Sequence, residues 1–107
     1  MVIKMINEVN KAEFERLIKS VKQKTLAEFY TKSCPACKSA VYILEEAEKQ
    51  YPEVTFCKID CEENAELAKS YGVSAVPTFV LAKDGREVSR SVGALSFSKL
   101  SEFIQRG

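Results

Sequence analysis

Apolar residues recur in this chain in two rhythms, helical spacing and short unbroken runs, and their alternation predicts its elements. Asn10 precedes a segment in which Phe14, Leu17, Ile18 and Val21 fall on one helical face, and Glu13 stands where its side chain can answer that of Asn10 across the first turn. A first amphipathic helix therefore starts at Asn10. Thr25 to Tyr30 is a short, mostly apolar run, the pattern of a strand covered by helices on both faces. Beyond it Ala40, Val41, Leu44, Ala47 and Tyr51 resume three-to-four spacing until Pro52 ends a long helix. Val54 to Asp60 reads as a second buried strand, and Asn64 to Tyr71 as a short helix stopped by Gly72. Thr78 to Ala82 and Arg86 to Val92 flank Lys83-Asp84-Gly85, whose Asp-Gly step predicts an antiparallel hairpin. Ser96 opens a last helix with Leu100, Phe103 and Ile104 on one face. With a strand ahead of the first helix, the order is β-α-β-α-β-α-β-β-α. That is an α/β chain built on a central mixed sheet of about five strands flanked by four helices.

Length and charge narrow the reading. The 107 residues, 46% of them hydrophobic, suffice for one core, so residues 1–107 read as a single domain. Sixteen Lys and Arg against fifteen Asp and Glu leave a net charge of +1, too little to draw the whole chain to nucleic acid or an anionic membrane. No apolar stretch approaches the roughly 18 residues of a membrane helix. Lys4, Asn7 and Glu8 break the apolar run that a signal peptide would need. The expectation is a soluble, cytoplasmic monomer that binds neither nucleic acid nor membrane.

The four cysteines then carry the chemistry. Cytoplasmic thiols stay reduced unless they are catalytic, sensing or metal-bound, and the absence of histidine removes the commonest general base and the commonest metal ligand together. Cys34-Pro35-Ala36-Cys37 lies at a strand-to-helix junction, where two intervening residues allow a small disulfide ring. With Cys34 capping the helix and Pro35 at its first position, unpaired backbone N–H groups and the helix dipole favour a thiolate on Cys34. Cys34 is thus the attacking sulfur, and Cys37, one turn further in, the sulfur that resolves the mixed disulfide.

Segments independent of the cysteine pair carry a family likeness over nearly the whole length. Leu26-Ala27-Glu28-Phe29-Tyr30, Ser33-Cys34-Pro35-Ala36-Cys37-Lys38, Gly72-Val73-Ser74-Ala75-Val76-Pro77-Thr78 and Val92-Gly93-Ala94 together resemble the thioredoxin family. The resemblance implies a thioredoxin-like fold and a protein thiol–disulfide oxidoreductase. It implies a cis peptide before Pro77 and a backbone at Val76 that pairs with an extended substrate, with Ser33, Pro35, Ala36 and Gly93 on the substrate-facing rim. It implies no bound cofactor beyond the redox-active disulfide Cys34–Cys37, electrons from NADPH through a thioredoxin-reductase-like flavoprotein, and cytoplasmic disulfide-containing proteins as acceptors. Glu28, six residues before Cys34, matches a buried aspartate of the family that exchanges a proton with the resolving thiol. In an apolar strand its charged form would be disfavoured, which suits a general base for Cys37.

Four departures qualify the likeness. The usual aromatic residue before the first cysteine is Ser33, and the proline has moved to directly follow Cys34; both changes touch the substrate-facing rim, and the proline after the first cysteine, as in glutaredoxins and more oxidising relatives, points to a protein less reducing than a typical thioredoxin. The family's lysine near the buried carboxylate is not recognisable, Phe56 being read at its place. Cys57 and Cys61 are extra. Their spacing from the Cys34–Cys37 pair also approximates a four-cysteine zinc site, one alternative reading; a non-catalytic module that merely binds a peptide strand is another. On the redox reading no metal is bound, Cys57 is a small apolar core residue and Cys61 is a candidate regulatory thiol.

Overall fold

The structure, a computed structural model, describes residues 6–20 and 23–106. Lys4 and Val21, both used in the sequence reading, lie outside that range. The elements run β1 (Asn7–Glu8), α1 (Lys11–Ile18), β2 (Thr25–Tyr30), α2 (Pro35–Gln50), β3 (Thr55–Asp60), α3 (Ala65–Ser70), β4 (Thr78–Lys83), β5 (Arg86–Val92) and α4 (Phe97–Arg106). This is the expected order, with Val54 buried just ahead of its strand.

Local chemistry sets the element ends. The Asn10 side chain accepts from the Glu13 N–H at 2.9 Å, and the Glu13 carboxylate accepts from the Asn10 N–H at 2.9 Å, closing the N-terminus of α1 reciprocally. Ser96 Oγ accepts from the Lys99 N–H at 3.2 Å and does the same for α4. Asp84 and Gly85 take φ of 58° and 82°, the pair of left-handed residues that lets a two-residue loop follow the twist of β4 and β5.

The five strands lie in the order β1-β3-β2-β4-β5. β1, β3 and β2 are parallel; β4 runs antiparallel to β2, and β5 antiparallel to β4. Strand alternation divides the core into two layers. Leu26, Phe56, Phe79 and Leu81 pack under α2 and α4, through Ala40, Leu44, Ala47, Leu100, Phe103 and Ile104. Ala27, Phe29, Cys57, Ile59, Val80 and Ala82 pack under α1 and α3, through Phe14, Ile18, Leu67 and Ala68. β2 is buried on both faces because it sits at the middle of the sheet between these layers, which is why it reads as a continuous apolar run.

The first of these layers fixes α2, and α2 carries the site. Leu44 is completely buried there. Leu44→Ala should lower stability by about 3 kcal/mol, seen as a lower urea midpoint at unchanged slope; a loss below about 1 kcal/mol would mean that α2 is held by something other than this layer.

Candidate active site

β2 leaves the sheet at Tyr30, and the chain turns through residues 31–34, where the Cys34 N–H donates to the Thr31 carbonyl at 3.2 Å. Cys34 has extended backbone angles (φ −93°, ψ 107°), and Pro35, whose fixed φ suits a first helical residue, starts α2. The Lys38 N–H donates to the Cys34 carbonyl at 3.2 Å, the first bond of the helix. Cys34 Sγ in turn accepts from the Cys37 N–H at 3.1 Å. The sulfur therefore occupies the place of a capping oxygen, against the positive end of α2. Cys34 and Cys37 are joined as a disulfide, their Cα atoms 5.3 Å apart. Cys37 is 1% exposed, Cys34 half-buried, and Ser33, Pro35 and Ala36 exposed, so only one sulfur of the pair is offered to a partner.

The opposite wall comes from β4 and β5. Phe29 pairs with Thr78 and Thr78 with Val92, so the chain before β4 and the chain after β5 emerge at the same end of the sheet as the Cys34 turn. There the Val76–Pro77 peptide is cis. Thr78 Oγ1 donates to the Ala75 carbonyl at 2.7 Å, and the N–H of Gly93, at φ 97°, donates to the Pro77 carbonyl at 2.8 Å. Pro77 is buried and Val76 half-buried, while Ser74 and Ala75 are exposed. One sheet end thus gathers Ser33, Cys34, Val76, Pro77 and Gly93.

This geometry matches known proteins. The family model described as Thioredoxin matches residues 5–106. The chain belongs to the thioredoxin family. It is 34% identical over 102 residues to a thioredoxin of Chlamydia pneumoniae, covering 95% of this chain and 98% of that one. It is 38% identical over 102 residues to the chloroplastic thioredoxin F of Oryza sativa subsp. japonica, covering 94% of this chain but only 52% of the rice protein, so it spans about half that relative's length. The oxidised mitochondrial thioredoxin 3 of Saccharomyces cerevisiae superposes with a TM-score of 0.85 at 36% identity, covering 94% of each chain. A thioredoxin-family chain with a Cys34–Cys37 disulfide is a thiol–disulfide oxidoreductase.

The central strand of this thioredoxin-family chain carries, opposite Lys58 on β3, the carboxyl of Glu28. It is completely buried, and neither of its oxygens receives a hydrogen bond from the protein. Burial pushes its pKa up to about 8, against a smaller lowering by the Lys58 ammonium. Lys58 is a charge beside Glu28 that the sequence reading did not single out. Phe56 is a buried residue of the α2/α4 layer, and the lysine stands two residues further along the same face, in register with Glu28 on β2. Lys58 Nζ lies 5.4 Å from the centre of the Tyr30 ring. Together with Tyr30, Lys32, Lys38 and Cys37, Lys58 lines a depression of about 320 Å³. The signal that finds Lys58 is the shared end of the two parallel strands: once Tyr30 is set opposite Asp60, Glu28 falls opposite Lys58.

The remaining cysteines do not join the pair. Cys57 is fully buried in the α1/α3 layer, on the sheet face opposite α2, and burial pushes its thiol up to about 12. Cys61 packs partly against the same layer; burial first, then Asp60 and Glu62, raise its pKa. Both effects disfavour the thiolate form of Cys61. The four cysteines do not converge as a zinc site requires. The cluster within reach of one cation, among the described residues, is Glu8, Asp60 and Glu63, and the Lys32 ammonium stands against it, 3.1 Å from Glu63 and 3.7 Å from Asp60.

The raised pKa of Glu28 has a definite sign in stability. Between about pH 4.5 and pH 8 the folded chain keeps a proton on this carboxyl that the unfolded chain has released, so folding weakens as pH rises through that window. Relative to Glu28→Gln, the native chain should lose up to roughly 1.4 kcal/mol per pH unit across it. A stability difference that is flat from pH 5 to 8, measured by urea unfolding, would show that the carboxyl titrates normally.

Proposed function

We propose that this chain is a cytoplasmic reductant of protein disulfides. The observation that carries the reading is the position of Cys34 Sγ at the N-terminus of α2, accepting the Cys37 N–H. In the reduced protein the Cys34 thiolate attacks one sulfur of a target disulfide. A Cys34–target disulfide forms, and the target's second sulfur leaves as a thiolate and takes up a proton. Cys37 then loses its proton and attacks Cys34. The Cys34–Cys37 disulfide closes and the second target thiol is released, the target having gained two electrons and two protons.

Glu28 is the proton acceptor for Cys37 in this scheme. A carboxyl held near pH 8 is matched to a thiol and passes a proton in either direction at low cost. Lys58 stabilises the carboxylate while it is ionised. The backbone at Val76, next to the cis bond, offers hydrogen-bonding groups to an extended substrate strand, and Ser33, Pro35, Ala36 and Gly93 form the rim around it. Electrons to reopen the disulfide come from NADPH through a thioredoxin-reductase-like flavoprotein, and the acceptors are cytoplasmic proteins with disulfides. No helix among the described residues is long and apolar enough to cross a membrane. Support for direction lies in the family, against which the Cys34-Pro35 step argues for a potential above that of a typical thioredoxin.

Equilibration in glutathione buffers of graded ratio, with the Cys34–Cys37 disulfide quantified by mass spectrometry of alkylated peptides, tests the reading. A single two-electron transition less negative than about −270 mV, within the range of about −230 to −200 mV found for glutaredoxins, is expected. A transition at or below about −270 mV would remove the claim of a less reducing protein. The absence of any transition would leave a peptide-binding module without redox function.

A further inference from the structure

The hairpin holds a side-chain assembly that the reaction scheme leaves unused. Ala82 pairs with Glu87 and Leu81 with Ser89, so Val88 is an extra residue in β5. This bulge changes which residues share a face. Three residues apart on a regular strand, Glu87 and Arg90 would point to opposite sides. Here Glu87 is opposite Ala82 and Arg90 opposite Val80, two residues that both belong to the α1/α3 layer. The two side chains meet as a fork: Arg90 Nε donates to Glu87 Oε2 at 2.7 Å and Nη2 to Oε1 at 2.8 Å.

So held, the guanidinium reaches across to the end of α3. Nη2 also donates to the Tyr71 carbonyl, and Nη1 to the Gly72 carbonyl at 3.5 Å. The last carbonyls of a helix lack partners within it, and an arginine is well suited to supply them. Tyr71 is fixed from its other side as well, its ring lying 5.6 Å from that of Phe14 and 5.8 Å from that of Phe29. Gly72, at φ 64°, then reverses the chain into the segment that ends at the Val76–Pro77 bond. That segment has three other ties: the Val73 N–H to Ala68, Thr78 Oγ1 to Ala75, and the Gly93 N–H to Pro77. Arg90 holds its upstream end.

We propose that Arg90, oriented by Glu87, is a positioning residue that sets the Val73–Pro77 segment for binding an extended protein substrate. The inference rests on the reading of Val76 as the substrate-pairing backbone. Arg90 takes no part in thiol exchange. Its loss should therefore weaken capture of a protein strand and leave the dithiol chemistry intact.

The test compares two oxidants: insulin, which must lay a chain against the segment, with dithiothreitol as electron donor, and 5,5′-dithiobis(2-nitrobenzoate), which is too small to need it, mixed with the pre-reduced protein freed of dithiothreitol because that donor would reduce it directly. In Arg90→Met, which keeps the apolar stem, KM for insulin should rise about fivefold, the size of one net hydrogen bond, with kcat unchanged. Turnover of the small disulfide should stay within twofold of the native chain. Arg90→Lys should recover part of the affinity, since one donor survives without the fork. Glu87→Gln, which keeps the arginine and weakens its hold, should fall between. An insulin KM within twofold of the native value in Arg90→Met, or an equal fall in both assays, would overturn the proposal. Turnover of the small disulfide by the native chain tests the oxidoreductase reading separately.

Discussion

An α-helix begins with backbone N–H groups that have no partner inside it, and α2 begins against a sulfur. That constraint organises the molecule around Cys34. Side chains that normally cap helices do so with oxygen; here Sγ accepts the Cys37 N–H at 3.1 Å, and the same half-turn places Cys37 where it can close a disulfide with the cap. One local feature thus favours a thiolate at Cys34 in the reduced protein and sets Cys37 beside it. Pro35 reinforces it by contributing a residue already shaped for the first helical position.

The sheet supplies what the helix terminus lacks. Because β2 and β3 are parallel and β4 antiparallel to β2, the Cys34 turn, Cys61 and Pro77 all lie at one sheet end, whereas residues on the two faces are kept apart. Cys57, facing α1 and α3, is excluded from any dealings with the dithiol under α2 by the thickness of the sheet. Glu28, on the α2 face of the central strand, is forced into an apolar layer, and Lys58 is the neighbouring charge that offsets part of that cost. The carboxyl's proton affinity is thus a consequence of its strand being the middle one.

Features set by a few consecutive residues were legible in the sequence. Asn10 with Glu13, Cys34 with Pro35, Asp84 with Gly85 and Ser96 each act through their own backbone within three or four positions, so the chain spells them out. What escaped depends on register between strands. The nearness of Lys58 to Glu28 did not show in the sequence because the pairing of β2 with β3 follows from packing on both faces, not from either strand alone. The Arg90–Glu87 fork was invisible for a related reason, since it needs the bulge at Val88, which nothing in Arg86–Val92 announces. β1 is only two residues long and earns its place in the sheet by pairing with β3.

The central claim is that the end of α2 makes Cys34 the attacking sulfur. Its most direct measurement is the pH dependence of alkylation of the fully reduced protein by iodoacetamide, with each cysteine read separately by peptide mass spectrometry. The account predicts that Cys34 reacts first, with a midpoint below that of a free cysteine, and that Cys37 and Cys57 lag far behind. A midpoint for Cys34 at or above that of free cysteine, or reaction of Cys37 ahead of it, would contradict the account.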